Sequence, residues 1–546
     1  MKTRRHAELL ARELGFGDIV AGSDEEKNVL EKLRGLLESL GLQVEKYSFK
    51  CTSWREKRVS LSSSQIEFNA VAMPNSPSGS VYARAVYIGD RILQGEFEEL
   101  DLAGKVAIVK MFSKIDEISW QYLWATVRGA EAVVFVDPYP GRRRRIVLAP
   151  SLDYSFSVGS PPAVPSVSVS LEEGLKLAEL ASKNEKVHLE VETSISHSAE
   201  TGVIAAGTLD GPVFTAHADK WLSGFTDNVL GLSIVASLAE KYREKAGYII
   251  FGAEEYGAPG HSPWYWIWGS RSFTSLLEQK GRMSELGLVI NFDTLGGGNI
   301  TISASGPDLL HSIEETLGNA YTYTPDRVIF DSFSFTMHGH PALTIHTFED
   351  TLPVYHTDVD VVENVNWLKV EEAVRIAENI AEQFASNKWK MLDYSRLISP
   401  MREKASKLGH IEEALELLKL LDNVDVKTED EARHLRKMLT KPVFTGRYGE
   451  AFEDPVVAYP YPLTIIEELQ LLEESLKEGT PSCKNHATRI TKTVPGWETK
   501  LLDIEIPRKL SSSTREELKH ITAQLAREYF TMLKDFLLEM VEEPNK

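Results

Sequence analysis

The feature that most constrains this chain lies between residues 201 and 387, where apolar β-type runs alternate with segments of helical periodicity. The runs are "GPVFTAHAD", "GYIIFGAEE", "LGLVINFDTLG" and "PALTIHTFED", and the helical segments include "NVLGLSIVASLAEKYREK" and "VEEAVRIAENIAEQFA". Such alternation predicts an α/β fold, a mixed but largely parallel sheet sandwiched by helices, with ligand sites gathered at the carboxyl ends of the strands.

Those strand ends carry an unusual set of side chains. His217 and Asp219 close the first run, and Asp227 follows directly before a helix. Glu254 and Glu255 close the second run, Asp293 the third, and His356 follows the fourth in "TIHTFEDTLPVYHTDVD". One strand-end carboxylate means little, because an Asp before a helix is often an N-cap. Five such groups in one crevice would repel each other without a cation, since unpaired buried ions are costly. A pair of divalent ions needs about this set: one bridging carboxylate, then one carboxylate and one His per metal. Glu254 or Glu255 is then spare to act as a base, and spacing alone does not separate the two.

"HAD", "TDNVLG", "AEEYG", "NFDTLGG" and "YHTDVD", in this order, resemble metallopeptidase family 28. These co-catalytic zinc peptidases include bacterial leucyl aminopeptidases and glutamate carboxypeptidase. The resemblance spans about residues 201–387 together with the N-terminal helix and strand. It implies two divalent metal ions, zinc being the expected one, with Asp227 shared between them. His217 and Glu255 would complete one site, and Asp293 and His356 the other. It further implies Glu254 as the general base, Asp219 orienting the His217 imidazole, and Tyr355 assisting at the developing oxyanion. Asp360 matches a carboxylate of structural role in that family.

The activity implied is that of an exopeptidase, specifically an aminopeptidase, hydrolysing N-terminal residues of peptides with a water that two zinc ions activate. A carboxypeptidase-like member would share every ligand but needs a cationic donor, for which Arg271 is a candidate. A glutaminyl cyclase-like relative would use one metal. A catalytically silent binding or receptor-type relative would be expected to have lost ligands.

The remaining sequence divides around this core. Residues 1–70 read as the N-terminal part of the catalytic domain, and 198–390 as its metal-binding part. Residues 71–197 form a β-rich insert in which "LAGKVAIVK", "RGAEAVVFVD" and "VPSVSVSLEEG" resemble the protease-associated domain that many members carry. Residues 391–546 contain amphipathic helices separated by Pro- and Gly-rich loops, a helical C-terminal domain expected to cover the sheet or to form a homodimer or higher oligomer.

Where the usual pattern passes quickly to a "GS", this chain inserts "APGHSPWYWIWGSRSF". Trp264 and Trp266, with Trp221 between the first two ligands, are candidates for the wall of an apolar substrate pocket, against the plainer reading of buried packing. "GRRRR" (Gly141 to Arg145) reads as a solvated surface loop. His338 and His340 have H-x-H spacing but precede a strand, which points to a structural or rim position, and His346 reads as a core histidine.

Composition excludes other classes. The chain has 546 residues, 26% of them charged, and a formal net charge of −20, which argues against nucleic acid or anionic membrane as partners. Peptides are the expected substrates. Only Cys51 and Cys483 are present, so neither a disulfide scaffold nor a thiolate metal cage is available. With no apolar stretch long enough to span a membrane and no secretory signal, the expected location is cytoplasmic.

Overall fold

The computed structural model describes residues 2–14, 17–89, 101–111, 117–150, 159–409, 412–444, 455–464 and 512–542, with a few short pieces between 466 and 503. Helices α1 (Lys2–Leu14) and α2 (Asp24–Ser39) come first. The α2 helix is N-capped by Ser23, whose hydroxyl accepts the Glu26 amide, and it buries Val29, Leu30, Leu33 and Leu37 at helical spacing.

Strand β1 (Val44–Ser62) runs on through 19 residues. After it come β2 (Glu67–Phe68), β3 (Val71–Ala72), β4 (Gly79–Gly89), β5 (Lys105–Lys110), α3 (Glu117–Val127), β6 (Ala130–Val136), β7 (Ser166–Val169) and α4 (Leu171–Ser182). Strand β8 (Lys186–Gly207) is 22 residues long and pairs antiparallel with β1 along almost its whole length.

Then follow β9 (Val213–His217), α5 (Leu230–Tyr242), β10 (Gly247–Phe251), α6 (Trp268–Gln279), β11 (Val289–Phe292), β12 (Thr301–Ala304) and α7 (Gly306–Leu317). The rest of this part comprises β13 (Thr322–Pro325), α8 (Ser332–Thr336), β14 (Ala342–His346), α9 (Phe348–Thr351) and α10 (Trp367–Asn387).

One sheet runs through the α/β region and the insert in the order β13-β12-β14-β11-β9-β10-β8-β4-β5-β6-β7-β3, with β1 beside β8. Pairs β14/β11, β11/β9 and β9/β10 are parallel, as are β4/β5, β5/β6 and β6/β7. The two parallel blocks meet at β8, which pairs antiparallel with both β10 and β4. The β4–β7 block is therefore joined to the β9–β14 block by a continuous ribbon of two long strands. Every residue of β9, β10, β11 and β14 is buried, which is why these strands read as unbroken apolar runs. Helices α2, α5 and α10 cover one face of this block and α6 the other.

After Leu392 the chain turns helical: α11 (Ser395–Lys407), α12 (Glu412–Leu421), α13 (Glu429–Leu439) and α14 (Ser512–Glu542). They share a separate core of Leu397, Met401, Leu417, Leu435, Leu533 and Leu537 among others. The α13 helix begins with a capping box between Thr428 and Glu431. Most of the helix expected in "LTIIEELQLLEESLKEG" lies outside the described residues, as does Cys483. Among the described residues no helix is long and apolar enough to cross a membrane.

Candidate metal centre

The parallel register sets the site. Phe251 pairs beside His217 and Asn291 beside Thr215, so β9, β10 and β11 end level and discharge their next residues into one crevice. His217, Asp219, Asp227, Glu254, Glu255, Asp293 and His356 all gather there, each 6% exposed or less. The sheet thus brings together every ligand and the base expected from sequence.

Asp227 lies in an irregular turn, Phe225–Val229, with φ −133° and ψ 82°, and the helix that follows has no side-chain cap. Its carboxylate is free of the N-cap role and is directed sideways. Oδ1 lies 3.1 Å from His217 Nε2, and Oδ2 lies 3.2 Å from His356 Nε2. The turn is fixed from three sides. The Thr226 amide donates to both oxygens of the buried Asp360 carboxylate, and the Phe225 amide donates to the Asp360 carbonyl. Asn228 Nδ2 donates to the Phe292 carbonyl, next to Asp293.

The shortest contacts differ from the expected pairing. His217 Nε2 is 3.7 Å from Asp293 Oδ2, and His356 Nε2 is 2.7 Å from Glu255 Oε2. The donor atoms gather into three overlapping groups, His217–Asp227–Asp293, Asp227–Glu255–His356 and His217–Glu254–Glu255, of which the first two share Asp227. The reason is strand adjacency: β11 lies on one side of β9 and β10 on the other, so Asp293 and Glu255 approach the shared carboxylate from opposite flanks.

Both imidazoles are held in one tautomer. His217 Nδ1–H donates to the Asp219 carbonyl at 3.0 Å, and His356 Nδ1–H donates to the Arg145 carbonyl at 3.1 Å. Each Nε2 therefore presents a lone pair to the crevice. Neither Nε2 has a hydrogen-bond partner despite its carboxylate neighbours, and buried Glu255 Oε1 has none either. Such orphaned buried acceptors converging on common points fit divalent cations, and the N/O donor set suits zinc.

Asp219 meets His217 through its backbone and not its carboxylate. Its backbone carbonyl orients His217, while its carboxylate accepts the amides of Glu254 and Glu255, both at 2.9 Å. The preceding amide, Ala253, donates to Glu26 Oε1 at 2.8 Å. Two buried carboxylates thus grip three successive amides of the turn that bears the glutamates. Gly252 makes this possible, because a Cβ there would stand 2.5 Å from Glu26 Oε1.

Electrostatics follow from the crowding. Burial pushes Glu254 well above the ordinary carboxylate range; His217 opposes this, and Asp293, Glu255 and Asp331 add to it. Glu255 is raised the same way, by burial and then Asp227, and Asp293 moves up to about 6 chiefly through burial. Burial opposes protonation of His217, yet the negative charge of Glu254 and the neighbouring carboxylates of Asp219, Asp227 and Asp293 raise it overall. Divalent cations would relieve this mutual repulsion.

Tyr355 stacks on the His356 ring, centroids 3.6 Å apart. Burial, then Asp227, Glu255 and Glu254, keep its hydroxyl protonated. Three residues of the setting carry no signal in the sequence. Glu26 sits in an acidic first turn that reads as capping. Asp331 is fully buried beside Glu254, with no hydrogen-bond partner on either oxygen. Burial raises Tyr265, as do Glu255 and Glu254 close by.

Other expectations fail for packing reasons. Trp221 is 1% exposed and packs edge-on against Trp54, while Trp264 is 0% exposed beside Phe333, so neither walls a pocket. Trp266 is half-buried, and its indole N–H donates to the Val328 carbonyl at 2.8 Å. Arg271 is buried over the Trp264 ring, and its Nη2 donates to the carbonyls of Trp264 and Trp266. "GRRRR" is no solvated loop, since Arg144 and Arg145 are 4% and 3% exposed. His340 is buried and donates to the Gly287 carbonyl, His338 lies by Glu278, and His346 bonds Ser303 in the core, so none of the three joins the centre.

No curated protein sequence matches this chain. Among solved structures, BSAP, a zinc aminopeptidase from Bacillus subtilis, is similar over 70% of this chain and 94% of its own, with a TM-score of 0.54 and 19% identity. A peptidase M28 precursor from Shewanella amazonensis SB2B is similar over 70% and 96%, with a TM-score of 0.51 and 15% identity. At these identities the likeness speaks for the fold. The sequence profile of peptidase family M28 matches residues 205–381, the segment that holds His217, Asp227, Glu254, Glu255, Asp293 and His356.

Proposed function

We propose that this protein is an aminopeptidase that holds two divalent ions, zinc first among them, and removes N-terminal residues from peptides. The observation that carries the reading is the pair of buried donor triads sharing Asp227, with both histidine Nε2 atoms left without hydrogen bonds. His217, Asp227 and Asp293 would hold one ion, and Asp227, Glu255 and His356 the other. Bound divalent ions supply polarisation of the scissile carbonyl and activation of water.

The chain's own residues supply the rest. Glu254 is the spare carboxylate, with its backbone fixed by Asp219, and it takes a proton from the attacking water and returns it to the leaving amine. The protonated Tyr355 hydroxyl donates to the oxygen on which negative charge develops. Asp219, Asp227, Glu254, Glu255, Asp293 and nearby Asp331 are six carboxylates against the four positive charges of two divalent ions. That surplus favours an ammonium group over a carboxylate at the crevice, hence a free N-terminus.

The decisive experiment compares wild type with Glu254→Gln on free and N-acetylated peptides, alongside metal analysis. The variant is expected to keep both ions and lose about 100- to 10,000-fold in kcat. Wild type should cleave only the unblocked peptides. A fully active variant, or equal cleavage of acetylated peptides, would overturn the reading.

A further inference from the structure

The two histidines are oriented by carbonyls from different parts of the chain. Asp219, which holds His217, belongs to the same strand end. Arg145, which holds His356, belongs to the β-rich insert, 211 residues away in sequence. The contact is reciprocal, for the Arg145 amide donates to the His356 carbonyl at 3.0 Å, and Arg144 and Thr357 form an antiparallel bridge.

This contact sits at a strained point of the backbone. His356 has φ +57°, a left-handed conformation that a side chain disfavours and that persists only where surroundings enforce it. The arginine run provides the enforcement. Arg144 donates to the carbonyls of Leu352 at 2.9 Å, Tyr355 at 2.6 Å and Pro353 at 3.0 Å, the segment that leads into His356. Its guanidinium is itself anchored by the fully buried Asp137 at 2.8 Å. Arg143 grips Asp358 through both its amide and its guanidinium, just past the ligand. Arg145 is held by Glu56 and Asp18 at 3.0 and 3.1 Å.

Building on the two-ion reading above, we infer that Arg143, Arg144 and Arg145 are positioning residues for the ion held by Asp227, Glu255 and His356, so that the insert sets the affinity of one metal site independently of the other. No contact of this run reaches His217 or Asp293.

The test is titration of zinc into chelator-stripped full-length protein, followed by calorimetry, with Arg144→Met, Arg144→Lys and Asp293→Asn as variants. Wild type is expected to show two binding events. Arg144→Met should weaken one of them about 10- to 100-fold, as loss of a ligand's supporting contacts does, and leave the other unchanged. The weakened event should be the one that Asp293→Asn spares. Arg144→Lys keeps the charge but not the forked contacts and should fall between, which preserves the test should the Met variant fold poorly. Two unchanged events, or equal weakening of both, would overturn the inference while leaving the two-ion reading intact. A single event in wild type would instead sink the two-ion reading, and this inference with it.

Discussion

Tyr355 shows how one side chain's surroundings define its chemistry. A phenol beside two or three carboxylates and largely removed from water keeps its proton over the whole physiological range, so it can donate but not act as a base. Replacing it with Phe leaves the stacked ring on His356 and removes only the donor. Tyr355→Phe is therefore expected to lower kcat by about 100- to 1,000-fold, the cost of one oxyanion donor, with KM changed little. Steady-state kinetics at saturating peptide would check this, and a variant raising KM alone would assign Tyr355 to ground-state binding. The gathering of His217, Asp227, Glu254, Glu255, Asp293 and His356 was legible at this scale, because these are the wrong residues for the ends of apolar strands unless a cation is near. Their pairing was not legible, since it depends on which strands are neighbours in the sheet, and sequence order does not carry that.

Between elements, the sheet is laced by a chain of buried hydroxyls and amides. Thr215 donates to Asn291, Asn291 to Thr344, and Ser332 meets both Thr344 and Asp326. Thr336 also donates to Asp326. This ties β9, β11 and β14 to the short helix α8 that carries Asp331 at its start. Burial lifts Asp326 from 3.8 to about 7, its hydrogen bonds to Thr336 and Ser332 notwithstanding. The folded protein then holds a proton that the unfolded chain has released between about pH 4 and 7. This group's contribution to stability is full below pH 4 and falls as pH rises through that window. Asp326→Asn removes the titration, and its melting temperature relative to wild type should climb between pH 5 and pH 8. Parallel pH profiles for the two proteins would refute the assignment. Elements of this kind explain where composition misled: four consecutive arginines look solvated, yet Arg144 and Arg145 are buried because free carbonyls and carboxylates from distant segments await them. The aromatic stretch looked like a pocket wall for a related reason. Trp264 finds its partners, Phe333 and Arg271, only once α6 and α8 are packed together.

At the scale of the whole molecule, alternating periodicity revealed the α/β layers and the amphipathic C-terminal helices, but not how the two are joined. The junction is a buried ion network. Arg436 on α13 is 1% exposed and meets Asp308 on α7 through Nε and Nη2, the latter at 2.8 Å. Its remaining donors reach both oxygens of Glu429 and the Gly339 carbonyl. Gly339 admits α13 at this distance, because a Cβ there would lie 1.9 Å from the Arg433 carbonyl. Asp308 is 0% exposed, so removing its partner leaves a desolvated charge, which typically costs about 3–5 kcal/mol. Arg436→Met is expected to destabilise the protein by about that much in urea unfolding, and adding Asp308→Asn should recover a large part, because the orphaned charge disappears with it. Activity per folded molecule should hold, since none of these residues reaches the crevice. A single variant within about 1 kcal/mol of wild type would mean that water enters the junction and that the helices rest on the sheet through apolar contacts alone.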